Sequence, residues 1–372
     1  MKAFKHRPSL CRIAGLTSAR QIFGVLINLF TVLVLVNRVH ATQYGLYALF
    51  LTYSQMSIAI FGAGLFPANY LYIQRNNKCF RFLFLNAVVT LLLATACIVL
   101  ISFFISGLYK AALSPLALLL MATSSLWGTI LSSFSLGMDD FHIFNIGELI
   151  VPVAFAIIVL LLPFRNADQI AVAFASANAL KTAFHGFYCI RVAHSQPQGL
   201  RIRLSQYWKY AVLSQSGSTL ATIWVRLLFI TLQQSLSPSK FGTLSVAWTI
   251  LDRTLILPQS FNLVSFGFQQ KPHYKLRKHN IAMLLVLGLL FLCIFTLTAL
   301  TYFFESFYLN NKSYEGLFLS FVILGPFFLF LGGRLMLQNT LVANDKLKPI
   351  VFNNLFLLMI IIFGYCNPFH LG

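Results

Sequence analysis

Long runs without a formal charge alternate with short basic segments along this chain. No Asp, Glu, Lys or Arg lies between Arg38 and Arg75, between Arg81 and Lys110, or after Lys348. A membrane-spanning helix needs about 20 mostly apolar residues, and each of these runs is long enough for at least one. The pattern predicts eleven helices, which span residues 15–36, 44–65, 82–106, 113–136, 144–162, 169–190, 210–236, 242–267, 281–303, 316–337 and 349–366.

The predicted architecture follows from the lipid that surrounds these segments. Backbone polar groups cannot be left open in lipid, so spanning segments of this kind form a helical bundle. We therefore expect an all-α integral membrane protein of about eleven transmembrane helices. Its predicted units are an N-terminal bundle over residues 1–190, a basic cytoplasmic linker over 191–209 and a C-terminal bundle over 210–372.

The composition fits a membrane protein better than a nucleic-acid-binding one. Hydrophobic residues make up 58% of the 372 residues and charged residues 9%, whereas soluble domains carry about 25% charged residues. The net charge of +19 is typical of nucleic-acid binders, but these basic side chains sit in short gaps between apolar runs. There they act as topology signals, so we expect no nucleic-acid partner.

The basic residues also predict the orientation of the chain. Lys and Arg number 17 on the side of the N-terminus and the even-numbered loops, and 5 in the odd-numbered loops. Such an excess marks the cytoplasmic side, so the N-terminus is expected in the cytoplasm. The first apolar segment is too long and too polar for a cleavable signal, and we interpret it as a retained helix.

Charged side chains also fall inside the predicted helices, where they are costly and normally face a bundle interior or a wet cavity. They are Arg20, Glu148, Lys181, Arg226, Asp252, Arg253 and Arg334. Polar residues accompany them at helical spacing, among them Gln21, Asn28, Gln55 and Gln215. We interpret these polar stripes as the lining of a hydrated cavity, with Asp252 placed to pair with Arg226.

Two other interpretations of these residues stay open. Small residues in the polar stripes would also let helices pack closely in lipid, without any cavity. Arg20 and Arg334 lie near the ends of their helices and would also be able to extend to the headgroup layer. Helices 82–106 and 281–303 lack polar stripes, and we expect them to face lipid.

The chain contains a weak internal echo. Tyr44-Gly45 opens the second predicted helix, and Phe241-Gly242 opens the eighth. Because these helices are six apart, the two copies have the same orientation in the membrane. The echo predicts two parallel halves of six-helix type, of which the second is short by one helix, with a substrate path between them.

Three short motifs resemble those of a known family. Segment 37–47 (NRVHATQYGLY) is similar to the first external loop of bacterial polysaccharide exporters, and segment 61–65 (FGAGL) to the end of their second helix. Segment 341–346 (LVANDK) is similar to the loop after their tenth helix. The chain thus resembles the O-antigen or lipid-linked oligosaccharide flippases of the multidrug/oligosaccharidyl-lipid/polysaccharide exporter superfamily, which implies a MATE-like fold. It departs from the family's pattern at Val225-Arg226, where an Asp often precedes the basic residue, and in having eleven predicted helices.

The resemblance implies a function. The substrate would be an undecaprenyl-diphosphate-linked oligosaccharide, flipped across a bacterial inner membrane by alternating access. The cations and amides of the predicted cavity would bind its diphosphate and sugars, and Asp252 and Glu148 are candidates for coupling to H⁺ or Na⁺. Membrane lipid and other polysaccharide-assembly proteins are the further partners expected, and no cofactor, metal or catalytic residue is called for.

Two other classes of protein fit the sequence less well. A MATE-type antiporter of small cationic molecules would favour an acidic cavity, whereas five cations face two carboxylates here. A membrane glycosyltransferase or polymerase would need a substantial outer loop with catalytic groups, and the predicted outer loops are short. The six cysteines are scattered without a CxxC pair, which predicts neither a metal site nor a disulfide framework.

Overall fold

The computed structural model describes residues 10–62, 64–108, 113–195, 202–259, 261, 276–307, 314–343, 354, 356 and 359. In chain order its α-helices are α1 Leu10–Arg38, α2 Ala41–Phe61, α3 Leu65–Arg75, α4 Phe80–Leu108, α5 Pro115–Gly137, α6 Phe141–Leu161, α7 Ala167–Ser195, α8 Leu204–Ser235, α9 Pro238–Thr254, α10 Leu276–Phe307 and α11 Leu317–Ala343. A short 3₁₀ turn, Asn77–Cys79, joins α3 to α4.

The predicted helices from 15–36 to 316–337 each have a counterpart in this series. The prediction was wrong after residue 65, where a loop was expected and α3 occurs instead. The predicted helix 349–366 and the part of 242–267 after residue 259 lie outside the described residues, apart from residues 261, 354, 356 and 359. Helices α7 and α8 extend into the predicted linker, which leaves residues 196–203 between them.

Local sequence signals explain where several helices begin. The Ser114 side chain accepts a hydrogen bond from the Ala117 amide, and Pro115 follows at the first helical position of α5. The Asp140 side chain accepts from the Ile143 amide at the start of α6. Both are typical N-caps, which satisfy amides that have no partner inside the helix.

The bend between α2 and α3 is a glycine turn. Gly64 has φ 76°, a left-handed backbone conformation that side chains disfavour. A side chain on Gly64 would also overlap the backbone of Ala211 on α8. The two helices meet at 48° and together are long and apolar enough for one bent span.

The described helices that are apolar enough to span a membrane differ in how much of their surface is buried. Six of the described helices (α1, α4, α5, α6, α10 and α11) are each long and apolar enough to cross a membrane, and the bent pair makes a seventh. In the apolar segment of α10 only 11% of the residues are buried, and in those of α4 and α6 only 22%, against 61% in that of α5. The low burial of α4 and α10 agrees with the prediction that they face lipid.

The helices associate in two groups that meet along the bent span. In the N-terminal group α5 packs on α7, α2 and α4, and α6 packs on α1 and α7. In the C-terminal group α11 packs on α10 and α9. Between the groups α2 packs on α8 and α9, and α3 packs on α8. The chain is thus a multi-pass helical membrane protein whose two halves share the α2–α3 span as their main interface.

The two copies of the internal echo meet at this interface. We call the face at which α2 and α9 begin the outer face. A Cβ atom on Gly45 would lie 3.1 Å from the Gly242 Cα atom, and one on Gly242 would overlap the Ala41 carbonyl. Next to them the Tyr314 hydroxyl donates to the Val39 carbonyl at 2.9 Å. Both glycines are needed for the close approach of the halves at this face.

Candidate functional site

The first charged cluster lies inside the N-terminal half, between α1, α6 and α7. The Lys181 ammonium contacts the Glu148 carboxylate at 2.6 Å, with 8% and 24% of the two side chains exposed. The Arg20 guanidinium lies 5.4 Å from the centre of the Phe144 ring and within electrostatic range of Glu148. This N-cluster therefore holds two cations and one carboxylate.

Gln21 and Asn28 lie on α1, on the stretch that continues from Arg20 towards the outer face. Both are half-buried. They are seven residues, or two helical turns, apart, so they share one face of the helix. The predicted polar stripe of α1 therefore lies on the same helix that contributes Arg20 to the N-cluster.

The second charged cluster lies inside the C-terminal half, between α8 and α9. The Arg226 guanidinium and the Asp252 carboxylate are 3.9 Å apart, with 14% and 31% of the side chains exposed. The predicted pairing of these residues is confirmed, although at this distance it is a loose ion pair rather than a close hydrogen bond. Arg253 lies within electrostatic range of Arg226 and of Tyr44 and Tyr47 on α2, at the interface between the halves.

Arg334 joins this C-cluster from α11 through an aromatic side chain. Its guanidinium lies 5.1 Å from the centre of the buried Trp224 ring on α8. A cation over a tryptophan face is stabilised by the ring quadrupole. Trp224 also contacts Phe327, which contacts Trp248 of α9. This aromatic frame fixes α8, α9 and α11 around the arginines of the C-cluster.

The four interior arginines share a feature that bears on ligand binding. In each of Arg20, Arg226, Arg253 and Arg334 the Nε atom is buried and has no hydrogen-bond partner within the described part of the chain. The side-chain carbonyl of Gln55, on α2 between the halves, is buried and unpartnered as well. Polar groups left like this cost about 1–3 kcal/mol each, and a polar ligand would relieve that cost.

The charged residues of the predicted site thus form two clusters, one in each half, and Gln55 lies between the halves. Both ion pairs found among the described residues join helices of the same half. The side chain of Gln215 lies outside the described residues. Three cavities of about 550, 540 and 410 Å³ lie elsewhere, at α10–α11, at α4–α5–α7 and beside Arg38, and none of these three is lined by the clusters.

Sequence analysis missed several residues that the structure brings to these clusters and to the interface. His185 is fully buried next to the N-cluster, and its position four residues after Lys181 was the available signal. Trp224 holds Arg334, although the two are distant in sequence. At the inner end of the interface the Tyr207 hydroxyl of α8 donates to the Asn69 side chain of α3 at 2.7 Å.

These features define a bundle of two halves with charged groups in the interior of each. No protein-family model and no curated protein sequence matches the chain. In structure it is similar to a chain described as the inward-facing conformation of a multidrug resistance MATE family transporter of the MOP superfamily. The TM-score is 0.59 at 12% identity, over 94% of this chain and 87% of that one. The chain therefore has the MATE-like transporter fold, and at this identity the likeness extends to the fold alone.

Proposed function

We propose that this protein flips an undecaprenyl-diphosphate-linked oligosaccharide across a bacterial inner membrane by alternating access. The N-terminus and the inner face, which is the one opposite the outer face, would lie in the cytoplasm, an orientation that the positive-inside charge distribution supports. The lipid tail would stay in the bilayer while the headgroup passes between the halves. The MATE-like fold supports such a route, because transporters built from two repeated halves bind their substrate at the interface between the halves.

The observation that carries this proposal is the surplus of unsatisfied cationic donors in the interior. Among the described residues four arginines have a buried Nε without a hydrogen-bond partner, and Lys181 adds a fifth cation, against the carboxylates Glu148 and Asp252. Guanidinium groups bind phosphate oxygens through paired donors. A diphosphate supplies the acceptors and the negative charge that this interior lacks.

The chemistry of the headgroup suits the remaining polar residues. Sugar hydroxyls both donate and accept hydrogen bonds, so Gln21, Asn28, Gln55 and Gln215 would serve them. Moving a charged, hydrated headgroup through bare hydrocarbon would be prohibitive. A path between the two bundles that is lined with polar side chains would remove most of that cost. Glu148 and Asp252 remain the candidates for coupling to H⁺ or Na⁺.

The test is a complementation experiment in a strain that lacks the protein. Arg226→Ala is expected to abolish surface polysaccharide while the variant is still inserted in the membrane at normal abundance. Arg226→Lys is the matched control and is expected to retain part of the function, because it keeps the charge and loses the planar fork. Normal surface glycan with Arg226→Ala would contradict the proposed role of this residue.

A second candidate is an ion-coupled antiporter of small molecules. It is favoured by one observation, the structural similarity to a multidrug resistance MATE transporter. Such a protein would raise the tolerance of a deletion strain to cationic drugs when it is restored. If the protein is such an antiporter, the amount of surface polysaccharide should be the same with and without the protein. This is the opposite of the result expected for the flippase.

A further inference from the structure

Helix α8 is long enough to lie beside both halves of the protein, and its two ends have different neighbours. It runs as one helix of 32 residues from Leu204 to Ser235. At 1.5 Å per residue this is about 48 Å, whereas the hydrocarbon core of a membrane is about 30 Å thick. The predicted C-terminal bundle, residues 210–372, includes most of this helix. The contacts of its side chains divide it between the two halves.

The first turns of α8 are part of the core of the N-terminal half. Tyr207 and Ala211 are each 0% exposed and lie in one hydrophobic cluster with residues of α3, α4, α5 and α7. The Tyr207 ring packs edge-on against Tyr72 of α3, with ring centres 5.4 Å apart. The backbone of Ala211 lies against Gly64, where a Cβ atom would overlap it. Among the described residues this cluster contains none from α9, α10 or α11.

Hydrogen bonds attach the same part of α8 to the N-terminal half. The Tyr207 hydroxyl donates to the Asn69 side chain at 2.7 Å, and both side chains are completely buried. The Asn69 amide in turn donates to the Ser133 hydroxyl of α5 at 3.3 Å. Further along α8, the Thr219 hydroxyl donates to the Ala59 carbonyl of α2 at 3.1 Å. Buried polar groups are costly to leave unpaired, so these bonds favour keeping the segment in place.

The last turns of α8 pack in the C-terminal half instead. The ring of Trp224 contacts Phe327 of α11, with ring centres 6.4 Å apart. The ring of Phe229 contacts Trp248 of α9, with ring centres 5.0 Å apart. Both rings lie in a cluster that contains buried residues of α9 and α11. Helix α8 therefore passes from one half to the other between Thr219 and Trp224.

The sequence just before this change of partners favours bending. Gly217 is the only glycine in the sequence of α8, and it stands between Ser216 and Ser218. Glycine is among the poorest helix formers, and helices often bend at glycine and serine pairs. The helix is thus weakest close to the point at which it leaves the N-terminal half.

We infer that the boundary between the two moving bodies runs through α8, so that residues 204–213 move with the N-terminal half and residues 224–235 with the C-terminal half. The contact between α3 and the start of α8 is then a permanent joint, which stays closed when α2 and α9 separate at the outer face. Movement of the start of α8 with the C-terminal half would break the bond between Tyr207 and Asn69 and remove the apolar cover of both. This inference holds for any substrate, because it concerns the division of the fold.

The test measures distances between pairs of spin labels in the full chain, in lipid nanodiscs and without the native cysteines. The first pair, Arg75 on α3 and Lys209 on α8, spans the joint. The second pair, Lys209 and Asn280 on α10, connects the start of α8 to the C-terminal half. All three positions are exposed, so cysteine and its label can be placed there without disturbing the core.

Opening of the outer face is forced by Gly242→Ala, or by the bulkier Gly242→Leu, because either side chain would overlap the Ala41 carbonyl. Labels at Asn37 and Lys240 verify that the outer face has opened. We then expect no shift in the distance from Arg75 to Lys209. The distance from Lys209 to Asn280 should shift by about 5 Å or more, which is the scale of rigid-body movements between domains.

The opposite pattern, a changed distance from Arg75 to Lys209 and a constant one from Lys209 to Asn280, would overturn the inference, and so would two constant distances. A second arm needs no forced opening. A thiol reagent that links Arg75→Cys to Lys209→Cys should leave transport in cells unchanged, whereas linking Asn37→Cys to Lys240→Cys across the outer face should stop it. Loss of transport on linking the first pair would also overturn the inference.

Discussion

Replacement of Gly242 by alanine is expected to separate the two halves at the outer face. The new Cβ would overlap the carbonyl oxygen of Ala41, which is backbone and cannot rotate away. Helix α9 or α2 must therefore shift. The same change at Gly45 is milder, because its Cβ would lie 3.0 Å from a Phe241 ring atom and 3.1 Å from the Gly242 Cα atom. We expect the larger effect from Gly242→Ala.

The size of the effect follows from the cost of overpacking a close contact, about 1–3 kcal/mol. Every 1.4 kcal/mol is about a tenfold change in an equilibrium constant. The ratio of closed to open molecules at the outer face should thus fall by about 5- to 150-fold. Alanine also favours a helix over glycine by about 1 kcal/mol. This gain in helix propensity arises at any Gly→Ala replacement inside a helix. A second Gly→Ala variant away from the interface therefore serves as the control for it.

Spin labels at Asn37 on α1 and Lys240 on α9 report the opening, after substitution of each by cysteine in a background without the native cysteines. Both positions are exposed and lie in opposite halves. Gly24→Ala on α1 is the matched control, because its Cβ would meet only the Pro152 Cγ atom at 3.9 Å. We expect a longer distance population with Gly242→Ala and no change with Gly24→Ala. An unchanged distance distribution in Gly242→Ala would refute the reasoning.

Two further predictions concern stability and are measured by thermal unfolding in detergent. Lys181→Met leaves the Glu148 carboxylate without its close counter-ion and should lower the free energy of unfolding by about 1–3 kcal/mol. Adding Glu148→Gln should restore most of this loss, because it removes the unpaired charge. A double variant that is no more stable than Lys181→Met would contradict this explanation. Tyr207→Phe removes the bond to the buried Asn69 side chain and should also cost about 1–3 kcal/mol. Tyr210→Phe, at a more exposed position, is its control, and equal losses in both variants would count against the bond.

The helices could be predicted because lipid imposes a simple length rule on apolar segments. The rule fails at α3, whose residues 65–75 are less apolar and end in Arg75. That segment is helical because Gly64 turns the chain and α8 covers the resulting helix. The motif at 61–65 thus marks a bend within one span, which hydropathy alone does not separate from the end of a helix.

The partners of the charged residues were predictable only where the helices are consecutive. Arg226 lies on α8 and Asp252 on α9, and a short turn joins these helices, so the proximity of the two residues followed from the topology. Arg20 reaches Phe144 and Arg334 reaches Trp224 across helices that are far apart in the sequence. A helical stripe shows which face of a helix is polar, but it does not show which other helix that face meets.

The division of the cations between the halves bears on how a diphosphate would be held under the proposed function. Each cluster contains one carboxylate paired with a cation. Each also contains an arginine that no carboxylate in the described part of the chain contacts, Arg20 in the N-cluster and Arg334 in the C-cluster. A ligand with two phosphates has enough charge to meet both at once. When the halves rock apart at one face, such a ligand would stay bound to at least one arginine, so it would not be left bare in the middle of the membrane. Single replacements of Arg20 and of Arg334 should then weaken transport less than the double replacement does, and a single variant as inactive as the double one would show that the two arginines do not share the ligand in this way.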